Sequence, residues 1–365
     1  MKITTQDIEG IFGIVPTPAV EGANHWSVVD SINYGETEKM IRAVLAGGCD
    51  MIATNGTFGE GATVTFDELK SFTRCVADAI GGTRPFFAGV TTLNTRDTVE
   101  RCRAIIDAGA DGLFVGRPMW LAMDQAAILR FYQDVAEAMP GVPLVVYDNA
   151  LTFKGKISTE TYAQLAAIPE VVAAKHTGGP IADDMKAVGH DMRVLPLLAN
   201  WHETARELPD LAKAAWAGSI ACAPNAVMRQ AKAIRDRDWR LADELGEQFR
   251  WAERIMMPGG DLATFMDYSI QIAHCRFKTA GIFDPGPPRP PYLFLPDDYR
   301  AVWSLDGGDV AQLRRVLPVW SSPGAEIPGA LCLPTAAEKL PALIEYPDRH
   351  TPVFLLAGST LDDSG

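Results

Sequence analysis

Short, almost continuously apolar runs alternate with amphipathic stretches along the first two thirds of the chain. The runs are FGIVPTPA from Phe12, MIATNGT from Met51, PFFAGVT from Pro85, GLFVGR from Gly112, PLVVYDN from Pro143, VVAAKHT from Val171, MRVLPLL from Met192 and AGSIACA from Ala217. A strand covered on both faces has no polar side to show, so these runs predict buried parallel strands. The stretches between them predict helices. TFDELKSFTRCVADAI opens on Thr65 as its N-cap, with Asp67 and Glu68 facing the positive end of the helix dipole. The Gly residues in AGGCDMI and AGADGLF, just before two of the strands, supply left-handed helix stops. Eight β-then-α units predict an α/β protein with a (β/α)8 barrel over residues 1–225. The competing architecture, an open doubly wound sheet, usually carries a glycine-rich phosphate turn after its first strand. Here that strand ends in PTPA.

After Asn225 the pattern changes. VMRQAKAIRDRDWRLADELGEQFRWAERIM predicts one long helix and LATFMDYSIQIAHCRFKTAGI a further helical segment, so 226–292 reads as a C-terminal helical appendage. It closes on the proline-rich DPGPPRPPY. Residues 293–365 form a tail broken by Pro and Gly, with no role to assign and one candidate short strand at PVFLLAG. Composition narrows the classes. With 365 residues, 47% of them hydrophobic, a large core needs no staple. A net charge of −13 argues against a nucleic-acid binder. No apolar run reaches the ~18 residues a membrane span needs, and the N-terminus lacks the pattern of a signal peptide, so a cytoplasmic protein away from membranes is expected. Six cysteines stand singly and the six histidines lack ligand spacing, so reduced thiols and no metal are expected.

Chemistry in a barrel sits at the C-terminal ends of the strands. Lys175 follows VVAA on a strand that should be buried. Desolvation lowers the pKa of such an amine and supplies a neutral nucleophile able to form a Schiff base with a ketone. The plainer reading is a lysine snorkelling from an exposed strand tip. Tyr147 ends the preceding strand and offers a phenol for proton transfer, or else a core aromatic with a backbone partner. In GTFGE, glycines around Thr57 and Phe58 permit a tight turn whose N–H groups could hold a carboxylate. Taken alone, that pattern is common.

Taken together, GIVPTPA, GTFGE, the tyrosine of VVYDN and the lysine of VAAKHT make residues 10–290 resemble the dihydrodipicolinate synthase/N-acetylneuraminate lyase superfamily of pyruvate-handling barrels. The resemblance implies Lys175 as the Schiff-base lysine and Tyr147 as the proton-transfer group. It also implies that the Thr57 hydroxyl and the Thr57 and Phe58 N–H groups hold the pyruvoyl carboxylate. Two departures narrow the substrate. Thr152 stands where members acting on a second carboxylate carry an arginine, and VGRPMWLAMD lacks the paired tyrosines usual after strand four. A site without that guanidinium cannot clamp a second carboxylate bidentately. Trp120 and Trp216 offer flat apolar surface instead.

TNGTFGE, VGRPMWL, YDNALTFKGKI, AAKHTGG and RPPY are most similar to the hydratase-aldolases of aromatic degradation, of the trans-o-hydroxybenzylidenepyruvate type. By that likeness the substrate is an aryl pyruvate, cleaved to an aromatic aldehyde and pyruvate through a covalent lysine–pyruvate imine with no other cofactor. Asn149, Ile220 and Ser269 join Thr57, Phe58, Trp120 and Trp216 as expected substrate contacts, Ser269 near where that subgroup carries a helical asparagine. The expected assembly is a homo-oligomer, trimer or tetramer. Another pyruvate aldolase, lyase or synthase of the superfamily stays open as an alternative, and so does a non-catalytic binding barrel.

Overall fold

The computed structural model describes residues 3–297 and 299, apart from 258 and 259. Eight strands form one parallel sheet: β1 Gly10–Ile14, β2 Met51–Ala53, β3 Phe86–Gly89, β4 Gly112–Gly116, β5 Leu144–Tyr147, β6 Val171–Lys175, β7 Arg193–Leu195 and β8 Ala214–Ala217. Each strand pairs with its sequence neighbours, and β8 returns to pair with β1. β7 and β8 meet at a bridge between Leu197 and Trp216, with the Trp216 N–H donating to the Pro196 carbonyl at 2.9 Å. The sheet is therefore a nearly closed TIM barrel.

Seven helices lie between the strands: α1 Tyr34–Ala46, α2 Phe66–Ile80, α3 Thr95–Asp107, α4 Gln125–Ala138, α5 Thr159–Ala166, α6 Ile181–Val188 and α7 Leu198–Glu207. After β8 come α8 Pro224–Arg235, α9 Trp239–Met256, α10 Leu262–Asp267 and α11 Ser269–Ala280. Successive residues of a strand point to opposite faces, and the apolar runs divide accordingly. Phe12, Ile14, Phe87, Phe114 and Val145 fill the barrel, while Ile11, Val15, Leu113, Val115 and Val146 pack outward against the helices. Helix starts follow the local chemistry. The Glu68 N–H donates to Thr65 Oγ1 at 3.3 Å and the Thr65 N–H to Glu68 Oε2 at 2.7 Å, the reciprocal capping box of α2.

Two boundaries differ from the sequence expectation. The eighth strand precedes Gly218, and the expected run from Ala217 makes a turn into α8 instead. The long helix after Asn225 is two helices. Arg237 takes a left-handed φ of 59°, and the Asp238 carboxylate accepts from the Leu241 N–H at 3.1 Å to cap α9 afresh. The expected strand at PVFLLAG lies outside the described residues. Among those residues no helix is long and apolar enough to cross a membrane.

Candidate active site

β5 and β6 end side by side, and their last residues, Tyr147 and Lys175, are register partners. Both are buried. The Lys175 Nζ lies 4.9 Å from the centroid of the Tyr147 ring and 3.8 Å from a ring centroid of Trp216 on β8, and it donates to Thr177 Oγ1 at 2.8 Å. Burial pushes this amine down to about 7, against the opposing pull of the Asp148 carboxylate. A large part of it is then neutral in neutral water, the form that attacks a carbonyl. Asp148 is itself fixed by Arg117 Nη1 at 2.9 Å and by the Tyr162 hydroxyl at 2.9 Å, both buried.

The Tyr147 phenol binds the GTFGE turn. Its Oη lies 2.6 Å from Thr57 Oγ1 and accepts from the Thr57 N–H at 3.4 Å. Burial raises the pKa of this phenol, against the opposing bonds to Thr57 and Asn149, so it stays protonated near neutrality and is connected to a second hydroxyl. The turn is tightly constrained. A Cβ on Gly59 would stand 2.9 Å from the Asn55 nitrogen, and one on Gly61 2.4 Å from the Asn55 carbonyl oxygen. Asn55 and Glu60, at φ 54° and 56°, bracket it in the left-handed region. Such strain persists only where the surroundings over-determine it, and Glu60 is held in that way. Its carboxylate accepts from His274 Nε2 at 2.8 Å, Arg289 Nη1 at 2.8 Å and the Arg289 N–H at 3.0 Å. Burial works to raise the Glu60 pKa, but the hydrogen bond and charge of His274 and the charge of Arg289 leave it lowered.

A cavity of about 390 Å³ opens beside this group. Thr57 and Tyr147 line one side; Lys175, their neighbour, is nearly covered. Met119, Leu151, Thr152 and Phe153 contribute from the loops after β4 and β5. The facing wall comes from α10, α11 and Tyr292, through Met266, Ser269, Ile270 and Gln271 among others. Most of this surface is apolar, and Thr152 stands at the wall with a hydroxyl. Among the described residues, no group of three or more His, Cys, Asp or Glu side chains is placed to hold a metal ion.

The family model for the dihydrodipicolinate synthetase family matches residues 26–237. The chain belongs to that family. The trans-2'-carboxybenzalpyruvate hydratase-aldolase of Nocardioides sp. (strain KP7) is 43% identical over 311 residues, covering 84% of this chain and 92% of its own. The trans-O-hydroxybenzylidenepyruvate hydratase-aldolase of Pseudomonas aeruginosa is 34% identical over 304 residues, covering 82% and 91%. Among solved structures, PhdJ bound to a substrate intermediate superposes with a TM-score of 0.83 at 45% identity, over 87% of this chain and 99% of PhdJ. A chloride-inhibited dihydrodipicolinate synthase from Acinetobacter baumannii complexed with pyruvate reaches a TM-score of 0.71 at 21% identity, over 83% of this chain and 99% of its own, and shares the fold.

In this member of the dihydrodipicolinate synthetase family, the structure brings together Lys175, Tyr147, Thr57 and Trp216, and it places Ser269 in the cavity wall. Asn149 is buried and outside the cavity lining; it bonds the Tyr147 phenol, and its Oδ1 accepts from the N–H groups of Leu151 and Thr152 at 3.2 Å each and shapes their loop. Phe58 packs on Phe277, ring centroids 6.0 Å apart. Of the seven expected substrate contacts, Thr57 and Ser269 line the cavity, and two of the others stand away from the Lys175–Tyr147 group. Ile220 is a fully buried core side chain beside Gly13, and Trp120 is 73% exposed and outside the cavity lining. The strand-end rule locates the rim but not the direction of a loop side chain. Sequence reading missed the Asp148–Arg117–Tyr162 group, the Glu60–Arg289–His274 group and Gln271. The available signal was a charged residue embedded in an apolar run, as in GLFVGR and VVYDN.

Proposed function

We propose that this chain is a Schiff-base hydratase-aldolase that cleaves an aryl-substituted unsaturated pyruvate to an aromatic aldehyde and pyruvate. The observation that carries this reading is the register pair Tyr147–Lys175, buried and joined to the Thr57 turn beside a largely apolar cavity. The names and identities of the hydratase-aldolase relatives support it. Thr152 in the wall, where an arginine would clamp a second carboxylate, supports an aryl aldehyde over an acidic one.

In the proposed sequence, the neutral Lys175 amine adds to the C2 ketone and expels water, leaving a protonated imine. The imine withdraws electrons along the conjugated chain. Water adds to the alkene carbon bearing the aryl group, and the neighbouring carbon takes a proton. Loss of the new hydroxyl's proton breaks the bond between these two carbons. The aldehyde departs, and the bonding pair moves into the imine to give an enamine. Protonation of the enamine carbon and hydrolysis release pyruvate and free Lys175. Tyr147, with the Thr57 hydroxyl, carries protons to and from these intermediates. The Thr57–Phe58 turn holds the carboxylate. The imine is the electron sink, so the proposal names no further cofactor. We also propose a homo-oligomer, trimer or tetramer, in the cytoplasm. Exposed Trp26 and Val29 support an interface, and a solution mass measurement tests it.

The deciding experiment is borohydride reduction in the presence of pyruvate and, separately, of a benzylidenepyruvate. A stable adduct mapped to the Lys175 peptide with both compounds is expected. An adduct on another lysine, or none, would refute the assignment.

A further inference from the structure

Arg117 is a buried cation that the proposed steps do not use. It follows β4 directly and is 1% exposed. Its Nη1 donates to Asp148 Oδ1 at 2.9 Å and its Nη2 to the Gly155 carbonyl, and its guanidinium lies over the Phe153 ring, 5.1 Å from the centroid. Its Nε has no partner among the described residues. A charge is tolerated in a protein interior only where it is paired and hydrogen-bonded. Here all three contacts go to one segment, 148–155, the chain leaving β5.

That segment is the cavity wall on the β5 side, through Leu151, Thr152 and Phe153. Its backbone is strained, with Lys154 at a left-handed φ of 55°. Strain of this kind persists only where the surroundings over-determine it. The β4 side supplies the restraint. Besides the two Arg117 bonds, the Trp120 carbonyl accepts from Lys154 Nζ and Gln125 Nε2 donates to the Lys156 carbonyl, both at 2.8 Å. Phe153 is the side chain that this lacing places. It is buried yet lines the cavity, and it lies against β4 only because residue 116 is glycine: a Cβ there would stand 2.4 Å from Phe153 Cζ. Its ring meets the Tyr147 ring edge-on, centroids 5.2 Å apart. The guanidinium thus backs the ring that joins the cavity wall to the phenol.

We propose that Arg117 is a positioning residue, whose forked grip on Asp148 and Gly155 holds the Phe153 ring as the wall against which the aryl group of the substrate binds. This rests on the aryl-pyruvate reading above. The test measures kcat and KM for benzylidenepyruvate, and the pyruvate concentration that half-saturates borohydride trapping at Lys175. It uses wild type, Arg117→Lys, Phe153→Leu and the variant carrying both changes. A lysine keeps a cation for Asp148 but has neither the fork nor the flat face. Arg117→Lys should raise KM for benzylidenepyruvate by roughly tenfold or more, with kcat and the half-saturating pyruvate concentration within about threefold of wild type. Phe153→Leu should also raise KM, and the double variant should lose no more than the worse single change, because both displace one ring. Should Arg117→Lys fail to fold by circular dichroism, Arg117→Met with Asp148→Asn removes both charges together, which buried pairs tolerate, and the same rise in KM is expected. Multiplied losses in the double variant would put the action of Arg117 somewhere other than Phe153 and overturn the assignment. So would an unchanged KM, or an equal rise in both the aryl KM and the pyruvate constant, the mark of a purely structural role. Pyruvate trapping by wild type without turnover of any aryl compound would instead defeat the aryl reading, and the assignment with it.

Discussion

The strand-built and helix-built walls of the cavity hold their side chains by different means. At the strand ends, Tyr147 and Lys175 are register partners in a parallel ladder, and the backbone bonds that make the barrel also set the spacing of phenol and amine. The opposite wall hangs on α10, a six-residue helix of partly buried and exposed residues, on α11 and on the segment around Arg289. Side-chain bonds attach that wall to the barrel. Arg289 and His274 reach Glu60, Arg289 also donates to the Thr17 and Ser31 carbonyls at 3.0 Å each, and Gln271 reaches Phe294. On the proposed reading, chemistry that tolerates little displacement sits on the ladder. On the same reading, the surface offered to the variable part of a substrate sits on an appended layer that can change without disturbing the strand ends.

The sharpest break between the walls concerns Lys175. Lys175→Ala should abolish turnover and borohydride trapping while the protein stays folded, because removing a buried amine also removes its desolvation penalty. Circular dichroism and an activity assay check both halves, and retained cleavage would sink the imine mechanism. The pH dependence follows from the same burial. With the amine near 7 and the neutral form reactive, trapping of pyruvate should rise through pH 7 and level off above about 8. A rise centred near 10 would mean an ordinary exposed lysine. Between about pH 7 and 10.5 the unfolded chain keeps a proton on this lysine that the folded chain has lost. This group's contribution to stability thus grows with pH across that window and is lowest below it.

Tyr147→Phe keeps the ring but removes the link to Thr57. Turnover should fall by about 10²–10⁴-fold while imine trapping persists. A wild-type rate would move the proton transfers to another group. Glu60→Gln tests how far the two walls depend on each other. Removing one partner of a buried ion pair costs about 3–5 kcal/mol, read as a lower midpoint in urea unfolding. The released Thr57 turn should also raise KM for the keto acid. Unchanged stability would mean that Arg289 finds another partner.

The difference between the walls also explains what the sequence disclosed. Parallel strands buried on both faces must be apolar throughout, so eight runs stood out, and a lysine or tyrosine ending such a run stood out against them. The helical wall has no comparable contrast. Glu60 and Arg289 are 229 positions apart, and nothing local in GTFGE or RPPY announces that they pair. Gln271 joins the lining only because α11 lies against the cavity. Trp216 and Trp120 looked equivalent as aromatic residues near strand ends. Only the structure separates them, one at the end of a ladder beside Lys175, the other in an exposed loop.

That separation gives the two smallest expected effects and distinguishes the walls directly. Trp216 contacts the amine, and its indole N–H donates to the His176 carbonyl at 2.8 Å. Trp216→Ala should weaken pyruvate trapping and aryl turnover together, by about 1–3 kcal/mol for the lost apolar contact. A loss confined to aryl substrates would place its ring in the aryl pocket after all. Trp120 shares the loop after β4 with Met119, but Met119 lines the cavity and Trp120 faces solvent. Its backbone carbonyl accepts from Lys154 Nζ at 2.8 Å, a bond that an alanine at the same position keeps. Surface substitutions of this kind stay within about 0.5 kcal/mol, so Trp120→Ala should leave kcat/KM for the aryl substrate within about twofold of wild type. Met119→Ala removes a side chain from the lining and should cost more. If the order is reversed, the loop closes over the bound substrate and carries Trp120 into the cavity, and the helix-built wall then has a movable counterpart on the β4 side.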